Sequence, residues 1–339
     1  MSTNTEALFE AFLHQYDDRA WSETIAVLLS SIHEVDRTAT QIWHSFFPVW
    51  LARAMEHADD PDALARKLVL QGNYSLSDQI DTSHSFLYGH RWWADVKQAV
   101  VEFATAAGGP TSLDLVTQIR DVANRVAKRI DVDASLLVGI TAVAFMTLQQ
   151  VGLAAFRATS GIVTMDSKVA RRSPEDVLET RARDDRQEFF YWLKHPDKIW
   201  TVTFNENDET ATFKLINTQQ LTTAAASDKR PHYLRDPRCT PNEGPIPVQC
   251  RSASCGTCWV GVLGGAEKLS PVAEFERRRI REFGYIDSDE PKPIIRLACQ
   301  AQAFGAVSIV IPPWCGVFGK YLRQQMNTAS ETREPHEIA

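Results

Sequence analysis

The stretch that decides the reading is CRSASCGTC, Cys250 to Cys258, taken with RLACQ, Arg296 to Gln300. Cys250, Cys255 and Cys258 stand as C-x4-C-x2-C, and Cys299 supplies a fourth thiol downstream. Three thiolates reach a metal centre from one tight loop only if the residues between them are small. Ser252, Ala253, Ser254, Gly256 and Thr257 all are, which leaves Arg251 as the one long side chain of the loop. Small residues also let backbone N–H groups approach the sulfurs, where their hydrogen bonds stabilise added negative charge. Gly256 would supply a turn that a Cβ would obstruct.

Four cysteines suit either a tetrahedral zinc or an iron–sulfur cluster. Zinc knuckles usually arrive as two C-x2-C pairs, whereas this chain has one such pair and two single cysteines, the ligand spacing of a 2Fe-2S centre. Beyond the cysteines, the text contains Cys250-Arg251, then Cys255-Gly256-Thr257-Cys258, a strand from Trp259 to Leu263, Leu269-Ser270-Pro271, a helix around Glu274 to Phe283 and the complete RLACQ. In these features it resembles the plant-type 2Fe-2S ferredoxin domains, free-standing or fused to oxidoreductases, over roughly residues 200–321. That resemblance implies a β-grasp fold and one 2Fe-2S cluster per chain, held by Cys250, Cys255, Cys258 and Cys299. The cluster loop would then be Arg251, Ser252, Ala253, Ser254, Gly256 and Thr257.

The chain departs from the family pattern twice. Where relatives carry a glycine between the first two ligands this chain has Ala253, which asks the loop to avoid a positive φ there. An insertion, about Ser227 to Pro247, precedes the first ligand. Its Pro231, His232, Tyr233, Arg235, Arg238 and Cys239 suggest a docking or cluster-shielding flap. Cys239 and Cys315 read as ordinary thiols, Cys315 near an exposed edge.

Working outward, residues 1–157 read as an all-α bundle of five or six helices, because apolar residues recur at three- and four-residue steps. The expected helices start near Ser22, Asp36, Asp60, Thr82, Ser112 and Ala134, with a kink at Pro48 and a stop at Gly108 to Pro110. The uncharged stretch from Ala134 to Phe156 is long enough to cross a bilayer. Its threonines and glutamines, and its being alone of its kind, favour a central core helix over a membrane contact. His84 and His90 are candidate haem ligands, a route to a second redox site, though the bundle lacks the Glu-x-x-His pairs of di-iron proteins. Trp43, Trp50, Trp92 and Trp93 read as core aromatics.

Residues 158–199 read as a charged linker with a short helix at 186–194. Residues 200–325 form the 2Fe-2S domain, opening with strands at 201–204 and 210–216, and 326–339 a polar tail. The expected architecture is thus multidomain, α followed by α+β.

Composition narrows the function. In 339 residues, 44% are hydrophobic and 23% charged, with a net charge of -7, which excludes a general attraction to nucleic acid or anionic lipid. Six clustered cysteines and the absence of a visible export signal point to the reducing cytoplasm. No G-x-G-x-x-G fingerprint or flavin domain is present, so the chain is not expected to oxidise NADH unaided. Residues 200–325 carry 15 Lys and Arg against 13 Asp and Glu, a near-neutral balance that favours a dedicated redox partner over a roaming carrier. The expected role is one-electron relay to a larger oxidoreductase of hydrogenase, dehydrogenase or oxygenase type, with the helical domain docking or forming a homo-oligomer. An oxidoreductase with its own helical redox site and a redox-sensing interaction protein are the rivals.

Overall fold

A computed structural model describes residues 2–106, 114–184, 198–286 and 290–316. It divides the chain into two compact units. One comprises Met1–Arg53, Ser75–Arg181 and Asn205–Glu209, the other Ala54–Tyr74, Ala182–Phe204 and Thr210–Ala339.

The first unit is helical. It contains α1 (Ser2–Leu13), α2 (Asp18–Leu28) and α3 (Glu34–Phe46), and the chain then enters α4 (Val49–Glu56). Pro48 separates α3 from α4 rather than kinking one helix, and the Asp18 carboxylate caps the break. It accepts from Val49 N–H at 2.6 Å and Trp50 N–H at 2.9 Å, two of the donors that a helix start leaves without partners. In the second unit, α5 (Pro61–Lys67) begins on an Asp60 side-chain cap with Pro at its first turn, as its sequence signals require. A two-residue strand, β1 (Gln71–Gly72), follows.

Back in the helical unit, the expected helix from Thr82 starts instead as loop and a 3-10 turn at Tyr88–Trp92, continuing as α6 (Trp93–Thr105). The Asp36 carboxylate, fully buried on α3, holds this entry by accepting from the N–H groups of Tyr88 and Gly89 at 2.6 and 2.7 Å. Next come α7 (Leu115–Ile130), capped by Asp114, and α8 (Ser135–Ala158). The expected glycine–proline stop at 108–110 lies outside the described residues.

Helix α8 is the centre of this unit. It packs against α1, α3, α6 and α7, and Leu137 to Gln149 is buried without interruption. Among the described residues it is the one helix long and apolar enough to cross a membrane, and most of it is enclosed by protein. Near its end Gly152 takes φ 78, breaking the helix. The freed Leu153 N–H is taken up by the Glu10 carboxylate at 2.5 Å. The charged stretch beyond α8 forms α9 (Ser167–Arg171) and α10 (Pro174–Thr180), the latter opened by a Ser173/Asp176 capping box. Arg181 then makes a bidentate pair with Glu206, both nearly buried. The short helix expected at 186–194 and the polar tail lie outside the described residues.

The second unit is built on a sheet. β2 (Ile199–Thr203) and β3 (Thr212–Ile216) pair as the expected hairpin, Trp200 opposite Leu215. A short helix, α11 (Leu221–Ala225), precedes the insertion. The remaining elements are β4 (Trp259–Gly264), α12 (Glu274–Phe283), β5 (Ile295–Leu297), β6 (Val307–Val310) and β7 (Trp314–Cys315). The sheet order is β3-β2-β6-β4-β5, with β2 and β6 parallel and the other neighbours antiparallel. Helix α12 packs on β5. This mixed sheet with its helix is the β-grasp arrangement. The unit also takes in residues ahead of position 157, because β1 pairs with β7, Gln71 opposite Cys315 and Gly72 opposite Trp314. No sequence signal reveals a two-residue strand with a partner so far along the chain.

Candidate metal centre

The cluster loop connects the insertion to β4, and Cys299 follows β5 by two residues, so adjacent strands of the sheet deliver both cysteine segments. The structure brings the four predicted thiols together as two pairs. Cys250 is hydrogen-bonded to Cys255, and Cys258 to Cys299. Among the described residues no three His, Cys, Asp or Glu side chains converge as a site for a single metal ion. Two neighbouring thiol pairs suit a binuclear centre rather than one tetrahedral zinc.

The backbone of the loop is wound to face these sulfurs. Arg251 and Ala253 both adopt left-handed conformations, φ 57 and φ 56. The expectation that Ala253 avoids a positive φ is therefore wrong. Alternating left-handed residues make a concave nest of N–H groups that receives negative charge. The N–H groups of Ser252 and Ser254 donate to Cys250 Sγ at 3.4 and 3.3 Å, and that of Ala253 donates to Cys299. Alanine meets this demand with the smallest side chain that carries a Cβ, at a cost of about 1–2 kcal/mol.

Gly256 behaves as expected. Its φ is 72, and a Cβ there would lie 2.9 Å from Cδ2 of Phe283. Thr257 is buried, with Oγ1 3.1 Å from Cys255 Sγ. Gln300 Nε2 donates to Cys299 Sγ at 3.4 Å. Arg251 pairs with Glu243 of the insertion, and the exposed Ser252 and Ser254 have their hydroxyls 3.0 Å apart, both also hydrogen-bonded to Cys250.

These contacts set the thiol chemistry. Burial works to raise Cys250, but the Ser254 and Ser252 donors and Cys255 outweigh it and lower the group. The hydrogen bond from Cys258 lowers Cys299 against burial, helped by Gln300 and Ala253, while Cys258 as donor moves well up. By contrast, burial pushes Cys239 up to about 12 and Cys315 up to about 11. Cys315 is fully buried in β7 with its thiol toward Gln71 Oε1, not at an exposed edge.

Three features that hold the site escaped the sequence reading. Arg296 and Glu276 are fully buried and form a bidentate pair at 2.9 Å, and Glu276 also accepts from Leu297 N–H at 3.0 Å. This ties α12 to the strand that carries Cys299. Glu276 shares the buried face of α12 with Ile280 and Phe283, and a carboxylate at i, i+4, i+7 spacing with two apolar residues was the available signal. Tyr285, stacked on Trp259 at 4.0 Å and 6°, has its hydroxyl 2.7 Å from both Gly256 O and Gly316 O. Trp314 completes the aromatic group, 4.5 Å from Trp259.

The insertion is strapped down at three places. Arg230 donates to the carbonyls of Thr210 and Thr212 at 2.6 and 2.7 Å on the β3 edge, Arg238 to Pro312 O, and Glu243 engages Arg251. In the helical unit, His84 and His90 bond each other through Nδ1 at 2.9 Å. His84 Nε2 lies 3.2 Å from Ile80 O and its ring packs on Trp93, so both nitrogens of this candidate haem ligand are engaged. Trp43 and Trp93 are fully buried, Trp50 and Trp92 half-buried.

Comparison with known proteins bears on this geometry. Residues 237–303 match the 2Fe-2S iron-sulfur cluster binding domain family. The C-terminal part of the chain therefore carries a ferredoxin-type domain with a 2Fe-2S cofactor. The helical region has no family match. No curated protein and no solved structure matches the chain. The donor set fits the cofactor: four thiols in two pairs, backbone N–H groups aimed at them, and no bulky side chain between.

Proposed function

We propose that the chain relays single electrons through a 2Fe-2S centre bound by Cys250 and Cys255 on one iron and by Cys258 and Cys299 on the other, serving a dedicated larger oxidoreductase in the cytoplasm. The observation that carries this reading is the two-pair arrangement of thiols at the mouth of a β-grasp sheet. When bound, such a centre accepts and releases one electron at a time, at roughly -400 mV for the plant type. The nest of N–H groups at residues 252–254 would stabilise the negative charge that arrives on reduction. Cys250 and Cys255 are half-buried while Cys258 and Cys299 are buried, which makes the first pair the side open to a partner. The near-neutral charge of residues 200–325 supports a lasting partner rather than long-range steering.

Anaerobic purification tests the reading. Two irons and two inorganic sulfides per chain, with a one-electron EPR signal on reduction, are expected. Cys299→Ser should lose the signal while far-UV circular dichroism keeps its helical content. Zinc without sulfide would refute the proposal, and co-purification from the native host would identify the partner.

A further inference from the structure

We propose that Tyr285 is a positioning residue for electron transfer, its hydroxyl fixing the Gly256–Thr257 peptide so that the Thr257 N–H faces the thiols. The proposal rests on the 2Fe-2S reading above and assigns a role outside both cysteine motifs. Gly256 and Thr257 are the two residues between Cys255 and Cys258. A trans peptide is planar and directs its C=O and N–H to opposite sides. Anchoring the Gly256 carbonyl at 2.7 Å on the Tyr285 side therefore turns the Thr257 N–H away from Tyr285. Thr257 borders the thiols, with its Oγ1 3.1 Å from Cys255 Sγ.

Tyr285 is itself held rigidly. It follows Gly284, the left-handed residue that ends α12, and its own N–H returns to Ile280 O at 3.1 Å. The ring is buried between Phe283, Trp259 and Trp314. Its second acceptor, Gly316 O, also at 2.7 Å, lies just beyond β7. One proton thus bridges the cluster loop and the end of the β7 strand. N–H donors to cluster sulfurs favour the reduced, more negative state, so loss of this anchor should lower the potential.

The test is Tyr285→Phe in the full chain, loaded with iron and sulfide and titrated against redox mediators with visible absorption and EPR as readouts. Phenylalanine keeps the stacking and removes only the hydroxyl. The expected result is a shift of about tenfold toward the oxidised state, about 59 mV lower in midpoint, with altered EPR g-values at unchanged iron and sulfide content. Replacement of Tyr285 by p-aminophenylalanine restores a donor at the ring tip and should return both readouts toward wild type. An unchanged midpoint and spectrum in Tyr285→Phe overturns the inference. If Tyr285→Phe fails to hold the cluster, recovery by the amino analogue supports it and failure of both variants overturns it. A wild-type chain that takes up no 2Fe-2S cluster would instead refute the functional reading beneath.

Discussion

Replacing Arg296 by Met should loosen the sheet unit far more than the loss of one surface charge would. The guanidinium is wholly enclosed, bonded to both oxygens of Glu276 and to Ser270 O at 2.8 Å. Without it, Glu276 keeps the Leu297 N–H but loses its counter-charge. Stranding one member of a buried pair costs about 3–5 kcal/mol, a large share of the roughly 5–15 kcal/mol that holds a domain folded. Hydrogen exchange of the β4 amides in the full-length chain reads this locally. Their protection should fall roughly a hundred- to several-thousand-fold, at about 1.4 kcal/mol per decade. The double variant Glu276→Leu/Arg296→Met removes both charges and leaves Leu297 N–H and Ser270 O without these partners, about 1–3 kcal/mol each. Its loss should fall short of the sum of the two single variants. Additive losses, or unchanged protection in Arg296→Met, would refute the ion-pair reasoning.

Two further outcomes are expected. Ala253→Gly relieves a left-handed alanine at φ 56, a gain of about 1–2 kcal/mol partly offset by chain entropy of about 0.4–1 kcal/mol, so thermal melting should rise slightly with cluster content intact. His44 is buried, with its Nδ1 unpartnered, and burial lowers its pKa to about 4. The folded state therefore refuses a proton that the unfolded chain accepts below about 6.5, and stability falls as pH drops from about 6.5 to about 4, by on the order of 3 kcal/mol. Asp36 runs the other way. Burial raises it to about 6, so stability from this group grows as pH falls from about 6 toward the unfolded carboxylate value. His44→Phe should shift acid unfolding of the helical unit, followed by circular dichroism, to lower pH; an unchanged midpoint would show that His44 does not contribute.

The site was legible where chemistry imposes spacing. Cysteine intervals, small intervening residues and the RLACQ segment marked the cluster loop, the β4 strand and α12 because thiolates and sheet pleat allow few alternatives. The same text was misleading at Ala253, where a family glycine suggested that the left-handed backbone depends on its absence of a side chain. The concave N–H array outweighs that preference, and a methyl group tolerates it. Tyr285 and Glu276 were opaque for another reason. Their partners, a loop carbonyl and a strand arginine, are set by tertiary packing and leave only a buried polar residue in an apolar pattern. Among the helix starts, the Asp60 cap was visible beforehand, whereas the Asp114 cap lies two residues past the start expected at Ser112, and Asp18 and Asp36 hold breaks far away in sequence. Helical periodicity carries no trace of such distant carboxylates.

The pairing of β1 with β7 also constrains the birth of the protein. Gln71 and Cys315 are 244 residues apart, so at ribosomal rates of about 5–20 residues per second the early strand waits roughly 10–50 s for its partner. During that interval Ala54–Tyr74 has left the ribosome with its own unit still unmade. A nascent chain truncated before Trp314 would leave that segment without its mate, and a gene fragment starting at residue 200 would begin life lacking a piece of its sheet.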